Sequence, residues 1–314
     1  MTSTVPTVTA SGPTSPVRSS GRPRLLRAEL LKARTTNTWW IFGLCALAAV
    51  AVALPFNYWI ASTDIDSVRN PQGPDAVVTP GLLGSSTDLA GVVARNAANI
   101  YTSGQYFGLL LAMLFGALLV TNEYYHQTAT TTFLATPRRT RVILAKLAAA
   151  AVVAVAGWAV VTAVSVGLGS LLLTRFISES ASLGVWSVQR SILMNLLAYV
   201  VWAVLGVGLG ALLRNQLAAT LTGAALYLIG SQAVQFIFVI IYIYIPSEWV
   251  IKSMILVPSV ASQVMITAEP APLWVTADGP IMSPQWWVGL IILVAYGVVA
   301  GVIGTLIIRR RDVA

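Results

Sequence analysis

The sequence predicts an all-α polytopic membrane protein with six transmembrane helices, and three observations predict it. Of 314 residues, 57% are hydrophobic and 10% charged, with a mean hydropathy of +0.79, whereas soluble globular domains carry about 25% charged residues. Six apolar runs are long enough to cross a bilayer, which takes about 20 residues at 1.5 Å rise each. Basic residues collect on alternate connections between those runs.

The runs lie near residues 39–61, 101–122, 142–173, 191–213, 217–244 and 286–308. The third and fifth are overlong, which predicts tilt or protrusion. When the N-terminal tail, the 123–146 connection, the turn at Arg214 and the C-terminus share one side, that side carries 14 of the 19 basic residues and 3 of the 11 acidic ones. The positive-inside bias then puts both termini in the cytoplasm, in a multi-pass protein of the plasma membrane. The same bias accounts for the net charge of +8, so the expected partner is the lipid bilayer and not nucleic acid. Trp59, Trp186, Trp249, Trp274, Trp286 and Trp287 fall near or beyond the outer boundary and Trp39 and Trp40 at the inner one, as interfacial aromatics do.

Residues 1–22 are rich in Ser, Thr, Pro and Gly, a composition that cannot offset the entropy of ordering and predicts a disordered cytoplasmic tail. They lack the short apolar core of a signal peptide, so the first run is expected to remain as an anchor. In residues 23–36, Leu26, Leu30 and Ala33 share one helical stripe flanked by Leu25, with Arg24, Arg27 and Arg34 away from it. That pattern predicts an interfacial amphipathic helix. Residues 37–311 then form the membrane domain.

Two connections on the outer side differ in character. Residues 62–100 carry Asp64, Asp66, Asp75 and Asp88 with several Pro and Gly, which predicts an exposed loop with a short helix near 86–99. Residues 245–285 contain Pro246, Pro258, Pro270, Pro272, Pro280 and Pro284, yet 249–266 is too apolar for a solvated loop. An outer re-entrant segment between helices five and six is expected, packed on the bundle to satisfy its backbone.

Chemical motifs are scarce. The sequence has no phosphate-cradling G-x-x-x-x-G-K-[ST], no H-E-x-x-H, one histidine (His126) and one cysteine (Cys45). Intrinsic NTP hydrolysis, zinc chemistry and an internal disulfide are therefore not expected. All 11 acidic residues lie outside the expected spans or at their ends, which argues against ion coupling through a mid-membrane carboxylate. The polar residues within the spans are neutral: Asn57, Asn195, Ser231, Gln232 and Gln235. They suit interhelical hydrogen bonds, and Ser231, Gln232 and Gln235 on helix five equally suit a substrate pathway. Gly206, Gly208, Gly210, Gly297 and Gly301 permit close helix approach.

The most specific segment is 122–147, NEYYHQTATTTFLATPRRTRVILAKL. Thr136 and Pro137 read as the N-cap and first residue of a new helix, and Glu123 is placed to face Arg138, Arg139, Arg141 or the amphipathic helix. Together with AELLKARTTNTWW before the first span, the pieces E-Y-Y-H-Q-T, A-T-P-R-R-T-R and A-K-L resemble the ABC-2 type permease family of bacterial ABC exporters, related in fold to the ABCG-type exporters. Tyr125 and Gln127 depart from the basic residue and glycine that many members carry there.

The resemblance implies a transmembrane permease subunit that moves an amphipathic or hydrophobic substrate out of the cell, with no catalytic site or cofactor of its own. ATP and Mg would be bound by a partner ATP-binding cassette subunit, and a second copy or a related permease would complete the path. Its implied contacts with the ATPase are Arg24, Arg27, Glu29, Lys32, Arg34, Glu123, Tyr124, Thr128, Pro137, Arg138 and Arg139. Two rival classes stay open: a non-transporting membrane scaffold that recruits a cytoplasmic factor, and an ion-coupled secondary transporter.

Overall fold

Lipid offers backbone amides no hydrogen-bond partners, so long apolar runs satisfy themselves as helices. The computed structural model describes residues 22–36, 38–70, 89–127, 139–177, 181–276 and 279–310, and it is mostly helical. Helix α1 (Arg22–Thr35) leads into the long α2 (Thr38–Arg69). Helices α3 (Leu89–Tyr101) and α4 (Gln105–Tyr125) meet at Gly104, whose φ of 79° favours a residue without Cβ. Helix α5 (Arg139–Leu172) ends in a π-helical turn (Leu173–Ile177) and is followed by α6 (Trp186–Leu213). Arg214, at φ 53°, closes α6. The Asn215 side chain then accepts the Ala218 N–H at 3.0 Å, capping α7 (Gln216–Ala225). A second π-helical turn (Leu226–Gly230) carries α7 into α8 (Ser231–Tyr244).

Beyond α8 come the short α9 (Glu248–Lys252), a 3-10 turn (Ser253–Leu256) and α10 (Pro258–Ile266). An antiparallel pair, β1 (Pro272–Thr276) and β2 (Gly279–Met282), sets Thr276 opposite Gly279. Helix α11 (Trp286–Arg310) follows.

Among the described residues, six helical stretches are long and apolar enough to cross a membrane: Thr38–Arg69, Leu89–Tyr125, Thr140–Arg175, Trp186–Leu213, Gln216–Tyr244 and Trp286–Ile307. The chain is a mostly helical, multi-pass membrane protein. Its core lies where α4 and α6 touch backbone to backbone. A Cβ at Gly206 would overlap the carbonyl oxygen of Met113, and one at Gly116 that of Ala203. Gly208, on another side of α6, would bring its Cβ 3.0 Å from the Ala300 carbonyl of α11. Gly297 meets Val201 at 2.9 Å by the same measure, while Gly301 has only an ordinary contact with Val204. Without a hydrophobic drive between helices in lipid, such close approach supplies the packing contacts. Helices α2, α7 and α8 are peripheral, with about a tenth of their most apolar windows buried.

Two connections carry packed helix, one of them where an exposed loop was expected. Helix α2 runs past residue 61 to Arg69, and Asp64 lies buried within it, not on an exposed loop. Its carboxylate accepts from Arg95 Nη2 at 2.9 Å and Asn96 Nδ2 at 2.6 Å, both on α3 and both buried. The opposite charge and the amide compensate the desolvation that would otherwise forbid a carboxylate there. The second connection bends by 96° between Glu248–Leu256 and Pro258–Ile266, at a proline whose fixed φ starts a new helix. Ile251, Met254, Val260, Ala261 and Met265 of this pair are buried, and Trp202 Nε1 donates to Ser262 Oγ at 2.8 Å.

Candidate functional site

Four ionisable side chains from three helices converge where α1 meets the end of α4 and the start of α5. Glu29 and Ala33 are the buried residues of α1, Leu26 and Leu30 are half-buried, and Arg27, Leu31 and Arg34 are exposed. The buried side of α1 is thus centred on a carboxylate beside the apolar stripe. Glu29 Oε1 accepts from Lys32 Nζ at 2.9 Å, and its Oε2 accepts from Lys146 Nζ at 2.9 Å. Glu123, in the last turn of α4, accepts from Lys32 at 2.7 Å and lies 2.8 Å from Lys146. Lys146 also donates to the Leu119 carbonyl at 3.1 Å, so its ammonium faces three oxygen atoms.

Two carboxylates and two ammonium groups alternate in a closed, charge-balanced ring. The side chains of Glu29, Glu123 and Lys146 are 6%, 8% and 4% exposed and that of Lys32 is 46% exposed, so one edge of the ring is wet. At Glu29 burial raises the carboxyl pKa, but the charge and hydrogen bond of Lys146, with the hydrogen bond of Lys32, outweigh it and hold it below the usual range. At Lys32 burial pulls the ammonium down, while hydrogen bonds to Glu123 and Glu29 hold it above its ordinary value. Every member is paired with an oppositely charged partner within 2.9 Å, which suits a joint that fixes three helices. Among the described residues, no three His, Cys, Asp or Glu side chains converge as metal ligands. A cavity of about 280 Å³ adjoins the ring, lined in part by Thr36, Leu118, Asn122 and His126.

The expected contact residues separate into groups. Glu29, Lys32 and Glu123 meet in the ring, and among the described residues the partners of Glu123 are Lys32 and Lys146. Arg27 and Arg34 stand exposed on α1, which also contains Arg24. The Tyr124 ring lies 5.6 Å from the Arg214 guanidinium, tying α4 to the end of α6. Thr128, Pro137 and Arg138 lie outside the described residues, as does the expected cap at Thr136, while Arg139 opens α5. Lys146 is the member that sequence reasoning left out of the site. Its signal is a lone lysine with no further charge across residues 147–174, an expensive placement unless a partner waits.

On α8, Ser231 is buried and donates to the Tyr227 carbonyl. Gln235 Nε2 donates to the Ser231 carbonyl at 3.1 Å and to Gln232 Oε1 at 3.3 Å, and Gln232 Nε2 reaches Tyr106 OH at 3.4 Å. The three polar residues therefore do sit together, beside the Tyr106, Tyr227 and Trp202 rings, which meet tilted and edge-to-face.

Fold and charge ring together define a multi-pass helical membrane protein with a buried ionic joint at one end of its bundle. A family model described as "Protein of unknown function (DUF2705)" matches residues 78–314, and the chain belongs to that family. Glu123 and Lys146 fall inside the matched region, whereas Glu29 and Lys32 precede it. No curated protein matches the chain.

Proposed function

We propose that this chain is the transmembrane permease subunit of an ATP-binding cassette exporter. The observation that carries the reading is the ring joining α1 to the ends of α4 and α5 through four charge-assisted contacts of 2.7–2.9 Å. Such a joint is what a chain without an energy source of its own requires. A force applied to the exposed side of α1, at Arg27, Leu31 and Arg34, is passed to two spans without slack. In this reading α1 lies on the cytoplasmic side, both termini are cytoplasmic, and the ATPase subunit binds ATP and Mg and docks on α1 and the 123–139 connection. Glu123 then acts as a strut inside the joint, because its side chain is too buried to form the contact itself.

The exposed face of α7 and α8 supports a second permease copy. Leu221, Ile229, Phe236 and Ile240 are exposed there, and Gln232 on the same helix is an exposed amide that gains by packing against protein instead of lipid. The bent α9–α10 pair is read as the outer re-entrant segment that closes the path.

The test is co-expression with any ATP-binding cassette protein found encoded in the neighbouring genes, followed by co-purification, ATPase and export measurements in vesicles. The reading expects a stable complex, ATP-dependent export, and ATPase activity that no longer drives export in Glu123→Ala. If no ATPase co-purifies, the scaffold class gains; if an ion gradient drives transport without ATP, the secondary transporter does.

A further inference from the structure

The stretch Leu89–Tyr125 is interrupted by a turn at residues 102–104, between α3 and α4. Gly104 in that turn sits against α2, where a Cβ would come within 2.9 Å of Val50. Asn57 of α2 holds the interrupted end: its Nδ2 donates to the Asn99 carbonyl at 3.3 Å and to Ser103 Oγ at 2.9 Å. Gln105 stands about 27 Å along α4 from Glu123, close to the roughly 30 Å thickness of a hydrocarbon core. The break therefore lies at the boundary opposite the ionic joint. Interrupted helix at membrane depth is tolerated where protein or a wet cavity satisfies the freed backbone, and such interruptions are a recurrent place for binding sites.

A pocket of about 260 Å³ opens at this break, between α2, α3, α4, the second π-helical turn and α10. It is smaller than the roughly 300–1,000 Å³ of drug-sized sites, so it suits a single ring-sized group. No charged side chain lines it. Its lining instead gathers four carboxamides from four helices: Asn57 of α2, Asn99 of α3, Gln105 of α4 and Gln263 of α10. Among the described residues, the side chains of Asn99, Gln105 and Gln263 make no hydrogen bond. Asn99 and Gln263 are exposed and Gln105 is half-buried, so a ligand can reach them. Tyr106 and Tyr227, with ring centroids 5.0 Å apart, supply an aromatic wall.

We infer that this pocket binds a neutral, hydroxyl-rich group the size of one sugar ring. A carboxamide sets an N–H donor beside a carbonyl acceptor, and neighbouring hydroxyls, each both donor and acceptor, answer that pattern. An ionised group finds no counter-charge in the lining. The C–H face of the ring covers the tyrosines. The group can arrive as the headgroup of a neutral glycolipid or as a free sugar from the aqueous phase. The inference goes beyond the permease reading, because binding here needs neither an ATPase nor a transport step.

The experiment uses the purified full-length chain in phosphatidylcholine nanodiscs prepared without sugar-based detergent. Three photoactivatable probes are compared: a monoglucosyl diacylglycerol, methyl glucoside and phosphatidylcholine. Labelled peptides are mapped by mass spectrometry. Expected is glucosyl labelling of residues 99–109 and of α10, by the lipid probe alone when the headgroup is the source and by both glucosyl probes when free sugar binds. Gln105→Leu and Gln263→Leu should each reduce it about three- to tenfold, one lost hydrogen bond, and the double variant at least about tenfold. Phosphatidylcholine labelling should not change. Gln263 is exposed, so its variant should keep the melting midpoint of the unaltered chain, which separates lost binding from lost folding. Absence of glucosyl labelling at the break overturns the inference, as does labelling that survives the double variant or equal labelling by phosphatidylcholine. Displacement of the glucosyl probes by N-methylacetamide and not by unlabelled methyl glucoside overturns it too. Glucosyl labelling without ATP-driven export sinks only the permease reading, and ATP-driven export without such labelling sinks only this site.

Discussion

Lys146 Nζ stands 2.8 Å from Glu123 Oε1, joining the first turns of α5 to the last turn of α4. Both side chains are more than nine-tenths buried, and Glu29 supplies the third contact. Removing the lysine leaves two buried carboxylates with Lys32 as their one remaining ring partner. Lys146→Met should therefore cost about 3–5 kcal/mol, read as a drop in the thermal unfolding midpoint in detergent. Adding Glu29→Gln to that variant should recover part of the loss. Strictly additive losses in the double variant would show that the ring is not one unit.

The same ring predicts a pH profile. A carboxylate held below its usual pKa contributes stability above its unfolded value, here 4.5, and loses it as pH falls through the folded value. An ammonium held above 10.5 contributes fully below that value and loses it as pH rises through the raised folded value. The contribution of Glu29 and Lys32 should be flat between roughly pH 5 and 10 and fall away on either side. Melting curves of Glu29→Gln against the unaltered chain test this, because the acid-side decline should be shallower in the variant.

At the other end of the bundle, Asp64 is held by Arg95 and Asn96. Asp64→Ala should destabilise by about 3–5 kcal/mol by stranding the Arg95 charge. Asp64→Ala with Arg95→Met should be milder than Asp64→Ala alone. An unchanged melting point for Asp64→Ala would mean that Arg95 finds water or another acceptor.

Gly206 and Gly157 offer a matched pair of substitutions. Gly206→Ala forces α4 and α6 apart at the Met113 carbonyl and should cost at least about 1–3 kcal/mol. Gly157→Ala points into open space and should be neutral or slightly stabilising, since alanine is the better helix former. The difference in unfolding midpoint is the measurement.

The α7–α8 face makes a prediction about assembly. In a Cys45→Ala background, a cysteine placed at Gln232 should form an intermolecular disulfide in membranes, and one placed at Trp59, an exposed residue of α2, should not. Cross-linking at Trp59 and not at Gln232 would move the interface to α2.

Much of the bundle is legible in the sequence because burial in lipid is a property of whole segments. Some 20 apolar residues in a row cannot dissolve in water and cannot leave their amides unpaired, so the number of long helices follows from hydropathy. Arg214 and Asn215 between two apolar runs likewise mark a turn. The helix after residue 61 was not legible, because Asp64 and Asp66 read as the edge of the membrane. What keeps Asp64 inside α2 is a partner 31 residues away, and no local pattern reveals it.

The ionic joint divides in the same way. The sequence by itself determined that Glu29 and Lys32 lie on an amphipathic segment before the first apolar run and that Glu123 and Lys146 lie near the ends of apolar runs, since a charge is poorly tolerated at their middle. Tertiary structure alone decided that these four close into one ring, with Lys32 and Lys146 as the partners of Glu123 among the described residues. Pairing of buried charges depends on distances of a few ångströms between separate helices. Those distances are set by how separate helices pack on one another, not by spacing along the chain.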